Sequence, residues 1–484
     1  MKSNNIFIIS FLTALLTVPT ALATIPADTT SPESTTGKAA KTGAHAPTVS
    51  SPNNETDIAA ETLPKPLPLP ETEYAGRNLR SEFMSYTIRR TATAGDRNAE
   101  WNYLPLSDFS VRHTPAGEIY STDVEFPEFW ADRIVILHTE GGRNSHTVTF
   151  NGQTEGSSRD SGIPSEIELR NGTPRSTNYI EIGIPADTRE PESALDDDRQ
   201  PLSDCFLYSQ PRTRIWDYEV SATTEGDDGR LVVDVIVEND YSTPETFGVC
   251  FDIFSPDGKV EEYGIREITA APKSRDTVRL TATIYGAGKR RWSARNPQTY
   301  TLTLFIRHGG RILEYVPVNI GFGSTEYRDG NIYRNGEPVE IRYAEYASTT
   351  PEALRKDIKR LKKEGFNTLW PQRPQPYWFY DICDRMGMYV VDQANINTDY
   401  RTDDPRIGGA LSNDPAWLGE YLARIEGMYM RTRNHPCIIA WSTGGDSGNG
   451  YNMYKAYMWL KKKDPARAVL YRAADGQWNN DIKL

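Results

Sequence analysis

Between Tyr74 and Phe322 apolar and polar residues alternate in short runs, among them Arg133-Ile-Val-Ile-Leu-His138, Thr147-Val-Thr-Phe150, Tyr179-Ile-Glu-Ile-Gly-Ile184, Leu231-Val-Val-Asp-Val-Ile-Val237 and Tyr300-Thr-Leu-Thr-Leu-Phe-Ile306. A period of two marks half-buried strands, and the Gly, Pro, Asn and Asp residues between the runs supply turns. Asn151-Gly152, directly after Phe150, predicts a tight hairpin, because a type I′ turn needs positive φ at both central residues. The region is long enough for two β-sandwiches joined near Trp216-Asp-Tyr218; one large barrel would need longer strands.

Past Glu326 the period changes. After Pro351, Leu354, Ile358 and Leu361 recur at i, i+4 and i+7, which predicts a helix with one apolar face that stops at Gly365. Helices are also expected over Trp378–Met386, 415–432 and 451–462. They alternate with apolar strands at Val339–Arg342, Phe366–Trp370, Met388–Val391, Cys437–Trp441 and Ala468–Tyr471. This alternation predicts a parallel sheet with right-handed crossovers, so the fold class is multidomain β plus α/β. Five strands are visible where a closed (β/α)8 barrel has eight, and an open barrel is expected to leave bare edges and an uncovered interior.

At the start of the chain Lys2 precedes the apolar run Ile6–Leu16, and Ala21-Leu-Ala23 places small residues at a signal-peptidase spacing. Residues 1–23 are therefore expected to be a removable secretory signal, and the protein to be exported to the periplasm, cell surface or exterior. The run is short for a transmembrane helix of ~20 residues, and no later stretch is a better candidate. Residues 24–72, rich in Thr, Ser, Pro, Ala and Asn, are expected to form a disordered tether or spacer.

With 484 residues, 38% of them hydrophobic, wholesale disorder is excluded and several domains are implied. The formal charge of −12 repels phosphate backbones and speaks against a nucleic-acid partner. Cys205, Cys250, Cys383 and Cys437 are too scattered for a disulfide scaffold, and no Cys-x-x-Cys or His-x-x-x-His spacing points to zinc; buried thiols are expected.

The segment Arg433-Asn-His-Pro-Cys-Ile-Ile-Ala-Trp-Ser-Thr-Gly-Gly-Asp-Ser-Gly448 resembles the acid/base signature of family 2 glycoside hydrolases, especially the β-galactosidase branch. Trp378-Phe-Tyr-Asp-Ile-Cys-Asp384, Gly387-Met-Tyr-Val-Val-Asp-Gln-Ala-Asn-Ile396 and Asp329-Gly-Asn-Ile-Tyr-Arg-Asn-Gly-Glu-Pro338 resemble other parts of its barrel domain. Phe150-Asn-Gly-Gln153 and Asp160-Ser-Gly-Ile-Pro-Ser-Glu-Ile-Glu-Leu169 resemble its sugar-binding jelly roll, and Trp292-Ser-Ala-Arg-Asn-Pro-Gln-Thr-Tyr-Thr-Leu302 the end of its immunoglobulin-like domain. The resemblance implies a jelly-roll sandwich at 73–217, an immunoglobulin-like sandwich at 218–323 and a truncated TIM barrel at 324–484.

In this family two carboxyls ~5–5.5 Å apart carry out retaining hydrolysis. Where the family has Asn-Glu after its fourth barrel strand, this chain has Gly445-Asp446. The shorter stem leaves the acid/base carboxyl ~1.3–1.5 Å short, a misplacement able to cost ~100-fold. The amide that usually holds the sugar's 2-hydroxyl is lost with it. The family's nucleophile lies on a later strand, so the resemblance assigns that role to no residue here. The magnesium-binding Glu and His after strand three correspond to Asn397 and Asp399; Asp399 and Asp446 still offer oxygens to Mg2+, but Asn397 brings no charge. Pro371-Gln-Arg-Pro-Gln375 stands where the family has a His, and Tyr343-Ala-Glu-Tyr-Ala347 where it has Arg-His-Glu-His.

Asp160 matches the jelly-roll aspartate that reaches the sugar, with a turn-capping role as its alternative. Glu345 and Asp475 follow strands one and five at the face where barrel chemistry occurs, as makeshift partners for Asp446 or as solvated loop acids. Asn395, in the motif after strand three, is a further substrate-binding candidate. Trp370 and Trp441 close strands two and four as sugar-stacking platforms or as packing. Trp378 with Tyr380 is expected in the core, and His435-Pro436 to end a helix and aim strand four. Three readings follow. One is a secreted carbohydrate-recognising homologue, catalytically impaired or inactive. Another is a weak or divergent retaining glycosidase, as a homo-oligomer or completed by another chain. The third is a fragment of a decayed gene.

Overall fold

The computed structural model describes residues 79–99, 101–141, 145–160, 162–186, 195, 202–346 and 350–482. The expected signal at 1–23 and tether at 24–72 lie outside the described residues. The first alternating region forms two antiparallel sheets. One orders Tyr103–Pro105, Ser203–Pro211, Arg133–Glu140 and Ser165–Leu169; the other orders Ser110–Thr114, Gly117–Glu125, Thr177–Pro185, His146–Phe150 and Gln153–Ser158. Alternation decides the inner face: Ile180 and Ile182 are fully buried while Tyr179 is exposed, and they meet Phe126, Trp130, Leu137, Phe150 and Leu207 in one core. The Asn151-Gly152 turn adopts positive φ at both residues, 47° and 81°.

The strand Ser203–Pro211 leads through Arg212 into Thr213–Glu225, the first strand of the second sandwich. The crossing thus falls ahead of Trp216, because one nearly continuous extended run serves both sandwiches and no break in the alternation marks the handover. The second sandwich packs Thr213–Glu225, Asp228–Asn239 and Ser274–Ile284 against Val260–Ala270, Glu245–Phe254, Tyr300–His308 and Arg311–Ile320. An extended strap at 79–88 ties the modules together. Arg80 Nε donates to Glu166 (2.9 Å), Ser81 N to Asp217 Oδ1 (2.9 Å), Ser85 Oγ to Glu314 (2.6 Å) and Glu82 N to Arg431 O (3.2 Å).

Five parallel strands follow, Tyr343–Glu345, Thr368–Trp370, Tyr389–Gln393, Ile438–Ser442 and Ala468–Leu470, each beside its neighbour in sequence. The first begins at Tyr343 rather than Val339. Glu337–Val339 instead pairs back on Asn331–Arg334 through the Asn335-Gly336 turn, so the chain enters the parallel sheet only after that reversal. The helices Pro351–Lys363, Tyr377–Met386, Leu418–Thr432 and Tyr451–Lys463 cover the outside, the first capped by Thr350 Oγ1 accepting from Ala353 N (3.1 Å).

The expected bare edge and interior need correction. Along strand five, Val469 N donates to Asp481 Oδ2 (2.8 Å), Val469 O accepts from Asp481 N (2.9 Å) and Tyr471 N donates to Asn480 Oδ1 (3.1 Å), so the last described residues satisfy that edge. Strands two to five are buried throughout. All four cysteines are free and buried. Among the described residues no helix is long and apolar enough to cross a membrane.

Candidate functional site

Strand parity decides which side chains reach the barrel mouth. On strand three Asp392 faces the helices, accepting from Tyr380 Oη (2.8 Å) and Thr432 Oγ1 (2.7 Å), and burial raises its pKa. Gln393 therefore faces inward. Its Oε1 accepts from Trp370 Nε1 (2.9 Å) and Ser442 Oγ (3.2 Å), while its Nε2 donates to Gln372 O (2.7 Å) and Asn397 Oδ1 (3.4 Å). Asn397 Nδ2 also donates to Gln372 O (2.9 Å), so the mouth is floored by linked carboxamides.

The loop after strand four closes over the loop after strand three. Gly445 N donates to Ile396 O (2.8 Å), Thr398 N to Ser447 Oγ (3.0 Å) and Ser447 Oγ to Ile396 O (3.2 Å). Asp446, carried on this loop, is exposed, and among the described residues no hydrogen bond or ion pair holds its carboxylate. A Cβ on Gly445 would lie 2.1 Å from Asn397 Oδ1. Asn397 thus occupies the space that a side chain at 445 needs, and the two departures from the family pattern form one steric unit.

Asp160 crosses from the first sandwich to this face while also capping its own turn. Buried at 1% exposure, its Oδ1 accepts from Gly162 N (2.9 Å) and from Asn395 Nδ2 (2.8 Å), with Arg424 Nη1 at 3.6 Å. Arg424 Nη1 donates to Asn395 O (2.7 Å), which fixes the loop from behind. Asp160 and Asn395, both candidates from the sequence, are in direct contact.

The two strand-end tryptophans, open as platforms or as packing, face opposite ways. Trp441 stands opposite Asp392 in the strand register, so it too faces the helices. It is fully buried, donates Nε1 to Asp464 Oδ2 (2.9 Å) and packs on Tyr429, with no face open to a sugar. Trp370 does point into the mouth, but at 2% exposure its face lies under the Arg472 guanidinium, 4.0 Å from the ring centre. Arg472 pairs with Glu345, whose other oxygen accepts from Gln372 Nε2 (3.2 Å); Glu345 is thereby engaged away from Asp446. Asp475 is an exposed turn residue with φ 47°, outside the carboxamide network.

The donor set does not fit Mg2+. Asn397 spends its amide on Gln372 and Gln393, and among the described residues Asp399 and Asp446 gather no third acidic, histidine or cysteine ligand. The cluster of three potential ligands among the described residues, Asp381, Asp384 and His435, lies elsewhere. There Asp384 Oδ2 meets His435 Nδ1 at 2.7 Å and Oδ1 accepts from Cys437 N (2.9 Å), which anchors strand four to the helix carrying Tyr380.

Sequence reasoning missed Gln372, Gln393, Arg424 and Arg472. Gln393 was detectable as a polar residue one step past Asp392 on a buried strand, and Arg472 as a cation directly after strand five; Arg424 carries no local signal within its helix.

Two family descriptions match the chain: the TIM barrel domain of glycosyl hydrolases family 2 over residues 347–483, and glycosyl hydrolases family 2 over residues 213–322. A β-galactosidase of Enterobacter cloacae is 31% identical over 388 residues, covering 75% of this chain and 36% of that protein. One of Priestia megaterium is 28% identical over 385 residues, covering 75% and 37%. The chain thus spans little more than a third of the length of these curated relatives. Among solved structures, the β-glucuronidase of Bacteroides uniformis superposes with TM-score 0.64 at 17% identity, over 74% of this chain and 46% of that one. The β-D-glucuronidase of Dictyoglomus thermophilum gives 0.63 at 16%, over 78% and 74%. These superpositions show a shared fold.

Proposed function

The chain belongs to family 2 of the glycoside hydrolases, and from that premise we propose that it is an exported carbohydrate-recognition protein whose hydrolytic centre is impaired. The observation that carries this reading is the Gly445–Asn397 exchange. The amide expected beside the acid/base carboxyl is absent, its space is filled by Asn397, and Asp446 stands on a stem too short to deliver a proton where a glutamate would. Recognition needs less: hydroxyl-matching donors and acceptors at a fixed mouth, which the exposed Gln372 carboxamide and the remaining N–H and lone pair of Asn397 supply, while the fully bonded Gln393 holds Asn397 in place. Arg472, a cation at the mouth, is already paired with Glu345, which favours a neutral sugar such as galactose over a uronate. The names of the curated relatives point the same way. Export rests on the Lys2, Ile6–Leu16 and Ala21–Ala23 pattern.

The test pairs a nitrophenyl-galactoside assay with thermal denaturation in galactose, on a sample whose solution mass is measured by light scattering. Protection by the sugar without turnover above that of Asp446→Ala is the expected outcome. Hydrolysis abolished by Asp446→Ala would instead establish a weak glycosidase, and with a mass above the monomer it would favour completion by another chain. Absence of protection by any sugar removes the recognition reading.

A further inference from the structure

We propose that Arg472 is a displaceable latch over Trp370, controlling whether a sugar ring can stack on that indole; the proposal rests on the carbohydrate reading above. Trp370 is fixed on three sides. Its Nε1 donates to Gln393 (2.9 Å), Tyr343 meets it edge-on at 5.3 Å, and the guanidinium of Arg472 covers the ring at 4.0 Å. The first two contacts belong to buried or half-buried strand residues. The third belongs to a side chain 34% exposed, whose anchor Glu345 is 50% exposed.

Such an ion pair is weak and screened by salt, so of the three neighbours it is Arg472 that can leave. A guanidinium and the C–H face of a pyranose make similar flat contacts with an indole, so the two compete for one surface. Glu345 stays behind, held by Gln372 Nε2, and its freed oxygen is placed to accept from a sugar hydroxyl. Arg472 also lies 5.1 Å from the Tyr343 ring, so the latch spans from the end of strand five to strand one across the mouth.

The experiment titrates galactose into the full chain by calorimetry, with wild type, Arg472→Ala, Glu345→Gln and Trp370→Phe compared. Arg472→Ala is expected to tighten binding about three- to tenfold, and raising NaCl to tighten wild type but not Arg472→Ala. Trp370→Phe is expected to weaken binding in either background. Sugar that binds wild type and Arg472→Ala equally, or Arg472→Ala more weakly, overturns the latch and leaves the carbohydrate reading standing. If no variant binds galactose, the carbohydrate reading fails, and the latch is judged by acrylamide quenching. The fluorescence lost with Trp370→Phe should be more quenchable in the Arg472→Ala background; equal quenching overturns the latch.

Discussion

Raising the pH from 6 to 9.5 is expected to remove about 3 kcal/mol of folded-state stability through one residue, His138. The ring, on the strand Arg133–Glu140 of the first sandwich, is 1% exposed, with Nε2 3.7 Å from Glu140 Oε1 and Nδ1 3.6 Å from Glu166 Oε1. Burial alone pulls an imidazole pKa down, but the two carboxylates of Glu140 and Glu166 beside the ring outweigh it and raise the pKa from 6.5 to about 9. Glu166, which also takes Arg80 and Tyr208, is correspondingly held well below the usual carboxylate range, so the pair is counted once. The folded-state pKa lies above the unfolded one. The stabilisation is therefore complete below pH 6.5 and is lost as pH rises through about 9. The shift from 6.5 to about 9, at ~1.4 kcal/mol per unit, gives the ~3 kcal/mol. Urea unfolding at pH 6, 7, 8 and 9 should show wild type losing stability relative to His138→Gln at up to ~1.4 kcal/mol per pH unit. Parallel pH profiles for the two proteins would refute the argument. Because His138 lines the same cavity as Arg80, Glu82 and Arg431, amide exchange at 79–82 should quicken first.

Gly162→Ala would put a Cβ 2.4 Å from Asn395 Cγ and 2.6 Å from Asn395 Cβ, an overpacking expected to cost about 1–3 kcal/mol in thermal denaturation. Asn395→Ala should rescue it only in part, since the Cβ contact remains; an unchanged melting temperature would count against the interlock of sandwich and barrel. Gly445→Ala must swing Asn397 away from Gln372 and Gln393, costing about 1–2 kcal/mol. Asn397→Gly should restore that loss in a double-mutant cycle, whereas additive effects would show that the two positions are independent.

Much of the fold was legible because it rests on local periodicity. The strands around Phe150 and Ile182, the helix with Leu354, Ile358 and Leu361 inward, and the order of the five parallel strands all follow from spacing. The errors arose where local pattern and pairing diverge. Val339–Arg342 reads as a strand, but the Asn335-Gly336 turn commits Val339 to a hairpin with Asn331–Arg334, and the parallel strand starts only at Tyr343. The site was legible as a set of loops and less so as a set of side chains. Asp160 and Asn395, singled out separately, turn out to touch each other, whereas Trp441 and Trp370, alike as strand-end tryptophans, face opposite ways. Only the register with Asp392 and Gln393 separates them.

The changes at the mouth are mutually fitted, which bears on the decayed-gene reading. Sequence drifting without constraint leaves holes where large residues shrink and orphaned charges where partners disappear, each costing stability. At this mouth the space beside Gly445 is filled by Asn397, whose amide is bonded to Gln372 and Gln393. Glu345 is met by Arg472 and Gln372, and Arg472 covers the indole that its neighbours fix in place. A side chain at 445 requires Asn397 to leave its bonds to Gln372 and Gln393, so the two positions are coupled. Residues that satisfy one another in space, charge and hydrogen bonding at this mouth are not what unconstrained drift is expected to leave, so the contacts of Asn397, Glu345 and Arg472 argue for a folded mouth over a decayed one.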